Sequence, residues 1–228
     1  MPCIILVNPF LDSNVGSVAR AMLNFGLTEL RVVDPICDIH SPNAKALAAG
    51  AVDVLENAKV FQTAEACVQD LNRVFATTIR PRGMTQLVYS PEVASKVIAE
   101  SLHNCTTGIM FGRERSGLTN EEVALADGII AIPSVSHSLF SDLTSSRPKL
   151  VQFKHFSSLN LAQAVNIVSY EIFKQASLDK AVGVPDVWLH ASSGERLGNP
   201  LTLQHRRSLL LQLIARMLGI FRGESRSP

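Results

Sequence analysis

The chain has 228 residues, 46% of them hydrophobic and 18% charged, with a formal net charge of +1. That length supplies one sizeable core with room for a small appendage, and the apolar content excludes a disordered chain. The near-zero charge excludes a globally basic nucleic-acid binder, so any basic surface must be built locally by folding or by a second subunit.

The opening Met1-Pro2-Cys3 leads straight into the apolar run Ile4–Val7, which reads as a strand and lacks the basic leader of a signal or transit peptide. Further strand-like runs are Leu30–Val33, Val74–Thr78, Gly108–Phe111 and Ile129–Ile132. Helical patterns lie between them, near Val15–Phe25, Pro42–Gly50, Ala64–Asn72, Pro91–Ser101 and Asn120–Ala126, and a longer one follows from Leu159 to about Ala176. Strand and helix alternate, and the strands are apolar throughout. That combination predicts an α/β fold whose parallel sheet is covered by helices on both faces. Ser134–Gln152 is Ser-rich and aperiodic, a long loop; Gly183–Pro200 has the turn residues of a linker. Leu203–Phe221 follows as a basic amphipathic helix with Arg206, Arg207, Arg216 and the adjoining Arg222 as its charges.

Cys3, Cys37, Cys67 and Cys105 are scattered without the close pairs of a structural zinc site, so no metal is expected. They read as reduced, individually buried thiols of a cytoplasmic protein, an organelle being the other reducing option. No segment approaches the ~18 uncharged apolar residues of a membrane span.

Ligands of open α/β sheets bind beyond the carboxyl ends of the strands, and three segments fall there. In Asn8–Arg20 the residues Val15, Val18, Ala19 and Met22 make a buried stripe, and Asn14 is placed to cap the helix. Arg20 lies one turn beyond Gly16, so a cation stands over bare backbone that a phosphate or carboxylate could approach; a solvated arginine on a capped helix fits equally. In Ile109–Thr119 a strand enters a loop bracketed by Gly112 and Gly117, then a helix capped by Thr119 with Glu121 and Glu122 in its first turn. The glycines allow positive φ and close ligand approach. Arg113, Glu114 and Arg115 are dense charge for a plain connector, yet neither a P-loop nor G-x-G-x-x-G is present. In Phe156–Val165, Ser157 or Ser158 is placed to cap a helix that buries Leu161, Val165, Val168 and Ile172. Arg80-Pro81-Arg82-Gly83 is a basic turn, either solvated or gripping phosphates.

In this order, Asn14–Arg20, Phe111–Leu118 and Ser158–Ala162 resemble the three motifs of the SpoU branch of the SPOUT methyltransferases. Ala44–Ala51 and Arg80–Met84 resemble more narrowly the TrmJ type, which methylates tRNA ribose. The resemblance spans residues 3–133 and 153–176 and implies a SPOUT fold with a C-terminal trefoil knot, a homodimer, and S-adenosyl-L-methionine as methyl donor to a ribose 2′-hydroxyl of RNA, tRNA in the TrmJ type. It implies that the donor is held by Met110, Phe111, Gly112, Arg113, Glu114, Gly117, Ile132, Pro133, Ser158, Leu159, Asn160 and Ala162. Catalytic roles fall by resemblance to Asn14, Arg20, Glu114, Ser158 and Asn160, and RNA contact to Arg20, Arg80 and Arg82. Arginine, with a pKa above about 12, is a poor general base. Arg20 is therefore expected to fix a phosphate and acidify the hydroxyl.

The pattern departs in three places. Ser134–Gln152 stands where the TrmJ type has a short loop, and setting it aside joins Pro133 to Phe153 in a continuous reading. It is thus an insertion in the knot region that either loops out or breaks the cofactor pocket. Breakage would leave a catalytically silent RNA-binding or dimerising protein. Phe156 stands where tyrosine is common, and the tail beyond Gly194 resembles the family poorly. The domains expected are a methyltransferase domain over 1–182, a linker over 183–202 and a basic tail over 203–228.

Overall fold

Apolar runs that cannot face water on either side become the interior strands of a sheet. In the computed structural model, residues 1–78, 86–101, 105–134, 158–181, 202, 204–208 and 210–211 are described. The strands are β1 Cys3–Val7, β2 Leu30–Val33, β3 Lys59–Phe61, β4 Arg73–Thr77, β5 Leu87–Tyr89, β6 Thr107–Phe111 and β7 Gly128–Ile130. They form one seven-stranded sheet in the order β3-β2-β1-β6-β4-β7-β5, every neighbouring pair parallel. The register places Ile4 beside Ile109 and Phe75 beside Ile109 in turn, so β6 lies between β1 and β4.

Successive side chains along a strand point to opposite faces, and here both faces are apolar. Ile4, Leu6, Val32, Phe75, Ile109 and Phe111 point to one side. That face is covered by helices α1 Asp12–Asn24, α2 Pro42–Ala48, α3 Val52–Glu56, α5 Pro91–Ser101 and α7 Leu161–Ala181. Ile5, Val7, Val74, Ala76, Met110 and Ile129 point to the other, under α4 Ala64–Val68 and α6 Asn120–Ala124. Each fully buried Ile, Leu or Phe contributes roughly 1.5–3 kcal/mol over its exposed state. The stripe on α1 is Val15, Val18, Ala19 and Met22, and that on α7 is Leu161, Val165, Val168 and Ile172, all buried as their spacing predicts.

Some expectations change. The edge strands β3 and β5 and the short helix α3 were not expected. Both strands have three residues, two of them exposed, so neither shows the buried run of an interior strand. Gly16 does not leave bare backbone for a ligand: a Cβ there would sit 2.1 Å from the Ala44 carbonyl oxygen, so glycine is what lets α2 pack against α1. All four cysteines are free thiols, but Cys37 is only half-buried. Burial pushes the Cys3 and Cys67 thiols up to about 12.

Residues 204–208 are helical, and Arg206 pairs there with Asp127 and with the Asn72 carbonyl. Arg206 is therefore engaged with the amino side of the sheet rather than free. Arg80, Arg82 and residues 135–157 lie outside the described residues, as does the expected linker except Thr202. Among the described residues no helix is long and apolar enough to cross a membrane, and no three His, Cys, Asp or Glu side chains cluster to hold a metal.

Candidate active site

The strand order reverses at β1: β2 and β3 extend to one side, and β6, β4, β7 and β5 to the other. Loops leaving the carboxyl ends on either side of such a reversal diverge and open a crevice. The cavity of the described residues, about 380 Å³, lies to one side of that point, at the carboxyl ends of β4, β6 and β7. Its apolar wall is Phe111, Leu118, Ile130, Ile132, Leu159 and Leu161. Polar groups come from Thr77, Thr78, Ser116, Asn120 and Ser158. Arg113, Glu114 and Arg115 line it as well, so polar and apolar surface are about equal, in a volume within the ~300–1,000 Å³ usual for small-ligand sites.

The turn after β6 forms one rim. The Arg113 N–H donates to the Gly117 carbonyl at 3.2 Å, and the Gly117 N–H returns to Arg113 at 2.9 Å, closing the turn. Gly117 has φ +73°, and a Cβ on Gly112 would lie 2.2 Å from the Gly117 carbonyl carbon. Both glycines are thus demanded by the fold of this turn. The Arg113 guanidinium donates to Glu122 at 2.9 and 3.0 Å and also to the Asn8 side-chain oxygen. Thr119 caps α6 in a capping box with Glu122, as the sequence predicts.

Glu114 turns toward α1. Its carboxylate accepts from the Phe10 N–H at 3.1 Å, the Leu11 N–H at 3.1 Å and the Asn14 side-chain amide at 3.0 Å. Burial raises its pKa, but those hydrogen bonds outweigh burial and hold the carboxyl below its ordinary value, so it is ionised at neutral pH. Asn14 is not the cap of α1. The helix begins at Asp12, its cap position Leu11 has no side-chain bond, and Asn14 lies buried in the first turn. Its other amide atom accepts from the Asn160 amide at 2.9 Å. Asn160 also replaces Ser158 as the cap of α7, accepting the Ala162 N–H at 2.9 Å. An unbroken chain of hydrogen bonds therefore joins all three segments singled out from the sequence.

Of the residues expected to hold a cofactor, Phe111, Gly112, Arg113, Glu114, Gly117, Ile132, Ser158 and Leu159 line the cavity. Met110 lies beneath it, fully buried, its carbonyl accepting from the Thr77 hydroxyl at 2.9 Å. Pro133, Asn160 and Ala162 stand beside it without forming its wall. Arg20 is exposed on α1, outside the cavity, and has no bonded partner among the described residues. Arg115 is exposed too, 5.5 Å from the Phe10 ring centre. Thr77, Thr78, Asn120, Ile130 and Ala164 were missed, because no motif marks them; strand-end position was the one available signal, and only for Thr77, Thr78 and Ile130.

Fold and site together define an α/β protein with a small-molecule cavity built from three loops at the carboxyl edge of a parallel sheet. The SpoU rRNA Methylase family matches residues 1–141. The tRNA (cytidine/uridine-2'-O-)-methyltransferase TrmJ of Pectobacterium atrosepticum is 35% identical over 212 residues, 92% of this chain and 78% of that protein. The tRNA (cytidine-2'-O-)-methyltransferase TrmJ of Methanocaldococcus jannaschii is 34% identical over 187 residues, 81% of this chain and 72% of that one. The crystal structure of TrmJ from Z. mobilis ZM4 superposes with a TM-score of 0.72 at 38% identity, covering 97% of this chain and 82% of that one. The chain belongs to the SpoU methylase family.

Proposed function

We propose that the protein transfers a methyl group from S-adenosylmethionine to a ribose 2′-hydroxyl of tRNA. The observation that carries this reading is the hydrogen-bond chain from Ala162 through Asn160 and Asn14 to Glu114, which gathers three loops at the mouth of the cavity. The residues present fit the donor. Ile130, Ile132, Leu118 and Leu159 offer an apolar slot for a purine, and Thr77, Ser116, Asn120 and Ser158 offer hydroxyls and an amide for its ribose and amino-acid parts. S-adenosylmethionine, when bound, supplies an electrophilic methyl group. Phe111, Gly112, Gly117, Ile132, Ser158 and Leu159 would form its walls, with Met110, Pro133 and Ala162 supporting them from outside.

The protein's own part is to hold the ribose oxygen in line and to ease loss of its proton. Glu114 is ionised, but its oxygens are occupied by three N–H donors, so it orients Asn14 and the Phe10–Leu11 backbone and takes no proton. Asn14 and Asn160 set the relation of α1 to α7, and Ser158 lines the cavity beside them. Arg20 faces solvent about two turns into α1, where its guanidinium can grip an RNA phosphate and favour the ionised hydroxyl. Arg80 and Arg82 would extend that phosphate contact. Among the described residues nothing favours the silent reading: the Arg113–Gly117 turn is closed and the cavity open.

The same reading includes a trefoil knot, supported by the match to the SpoU family and by the superposition on TrmJ from Z. mobilis ZM4. It includes a homodimer, supported by the exposed Leu23, Tyr170 and Phe173 with Phe25 between the two aromatic rings. It keeps a methyltransferase domain over 1–182, a linker over 183–202 and a tail over 203–228. The free thiols suit a reducing, cytoplasmic compartment. Calorimetric titration with S-adenosylhomocysteine tests the cavity assignment: micromolar binding is expected, and none at millimolar ligand would overturn it.

A further inference from the structure

We propose that Asn8 is a positioning residue that locks the turn over the cavity to the loop facing RNA, so that the two ligands bind as one coupled unit. This rests on the methyltransferase reading above. Asn8 and Asp34 end the neighbouring strands β1 and β2, and both hold left-handed backbone, at φ +45° and +40°. Glycine or asparagine suits such a φ, but only asparagine adds an amide. That amide is used at both ends. Its nitrogen donates to the Asp34 carbonyl and to the Asp34 carboxylate, each at 2.8 Å, and its oxygen accepts from Arg113. The two acceptors on Asp34 fix which way the amide points, since a flipped amide would set N–H groups against the guanidinium and its oxygen against them.

Arg113 in turn donates to Glu122 and to the Gly117 carbonyl, across the closure of the turn. The next residue, Glu114, holds the Phe10 and Leu11 N–H groups. Consecutive side chains of the turn therefore grip the Asn8–Leu11 segment at its beginning and at its end. That segment leads directly into α1, which carries Asn14 and Arg20. A ligand that settles the 113–117 turn must settle the start of α1 as well, and an RNA held by Arg20 must act back on the turn. Binding linkage requires the two effects to be equal.

The test is calorimetric titration of S-adenosylhomocysteine with and without unmodified tRNA, on the wild type, Asn8→Gly and the double variant Asn8→Asp with Asp34→Asn. In the wild type tRNA should tighten the nucleoside about tenfold, within the range usual for coupled sites. Asn8→Gly keeps the left-handed backbone and removes the amide. Its melting temperature should stay close to wild type while the coupling falls to about onefold. The double variant keeps an acceptor for Arg113 and lets an amide at position 34 donate to the new carboxylate, so it should retain the coupling. Wild-type coupling in Asn8→Gly, or equal loss in both variants, overturns the proposal, the second outcome assigning Asn8 only to the corner at Asp34. A wild type that binds both ligands without coupling overturns the proposal alone. A wild type that binds no nucleoside overturns the methyltransferase reading and this inference with it.

Discussion

Replacing Glu114 by glutamine removes one charge and no volume, and the hydrogen-bond chain fixes what it costs. The Ala162 N–H must meet the oxygen of Asn160, which leaves the Asn160 nitrogen facing the oxygen of Asn14. The Asn14 nitrogen must then face residue 114, alongside the Leu11 N–H, while the Phe10 N–H approaches the second oxygen. Every group arriving at residue 114 is a donor, and the chain cannot reverse because a backbone N–H holds its far end. A glutamine has one oxygen and one donor group, so in its better orientation the Phe10 N–H faces another N–H and keeps only its longer, 3.3 Å bond to the crowded remaining oxygen. An unmatched donor costs about 1–3 kcal/mol, and weakening the remaining charge-assisted bonds adds about 1 kcal/mol. Allowing for partial exposure, a loss of about 2–3 kcal/mol is expected. That corresponds to about a 30- to 150-fold fall in kcat/KM for methyl transfer, and to about 4–12 °C in melting temperature for a domain of this size. Steady-state kinetics on tRNA and a thermal melt read the two effects. Wild-type values in both would refute the role given to the chain of amides.

Arg20→Lys should lose activity by about 100-fold or more while S-adenosylhomocysteine affinity is unchanged, because Arg20 lies outside the cavity and a point charge does not replace the planar fork; near-normal turnover would contradict this. Gly112→Ala places a methyl 2.2 Å from the Gly117 carbonyl carbon, so calorimetry should find nucleoside binding lost in a protein that still folds; retained affinity would show that the turn yields. The Glu114 carboxyl lies below its ordinary 4.5 in the folded chain, so its contribution is complete above that pH and disappears as pH falls through the depressed value. Urea unfolding should therefore show the stability gap between wild type and Glu114→Gln narrowing below about pH 4.5, and a gap that widened in acid would reverse the sign of the argument.

The interior of the sheet was legible because β1, β2 and β6 are buried at every position and are largely apolar, the one charge being Arg31 in β2, buried against Glu29 and Asp70. The edges were not, because Lys59–Phe61 and Leu87–Tyr89 are short and half exposed, and their pairing depends on the neighbouring strand rather than on their own pattern. The three site segments were legible as motifs, but their local roles were misread in one consistent way. Asn14 and Ser158 look like helix caps from neighbouring residues alone. The groups that organise the start of α1 arrive from Glu114 and Asn160, 100 and 146 positions away. Gly16 looked like an opening for a ligand because the sequence does not reveal that α2 occupies it. Asn8 gave no signal either, since its left-handed backbone and its partner Arg113 exist only in the folded chain.

The most direct measurement is to incubate the purified protein with unmodified tRNA and S-adenosylmethionine carrying a labelled methyl group, then to digest the RNA and identify the labelled nucleoside by mass spectrometry. The expected result is label on ribose as a 2′-O-methylnucleoside, abolished by Gly112→Ala and by Arg20→Lys. Label on a base, or none on any tRNA despite tight nucleoside binding, would contradict transfer to the ribose hydroxyl.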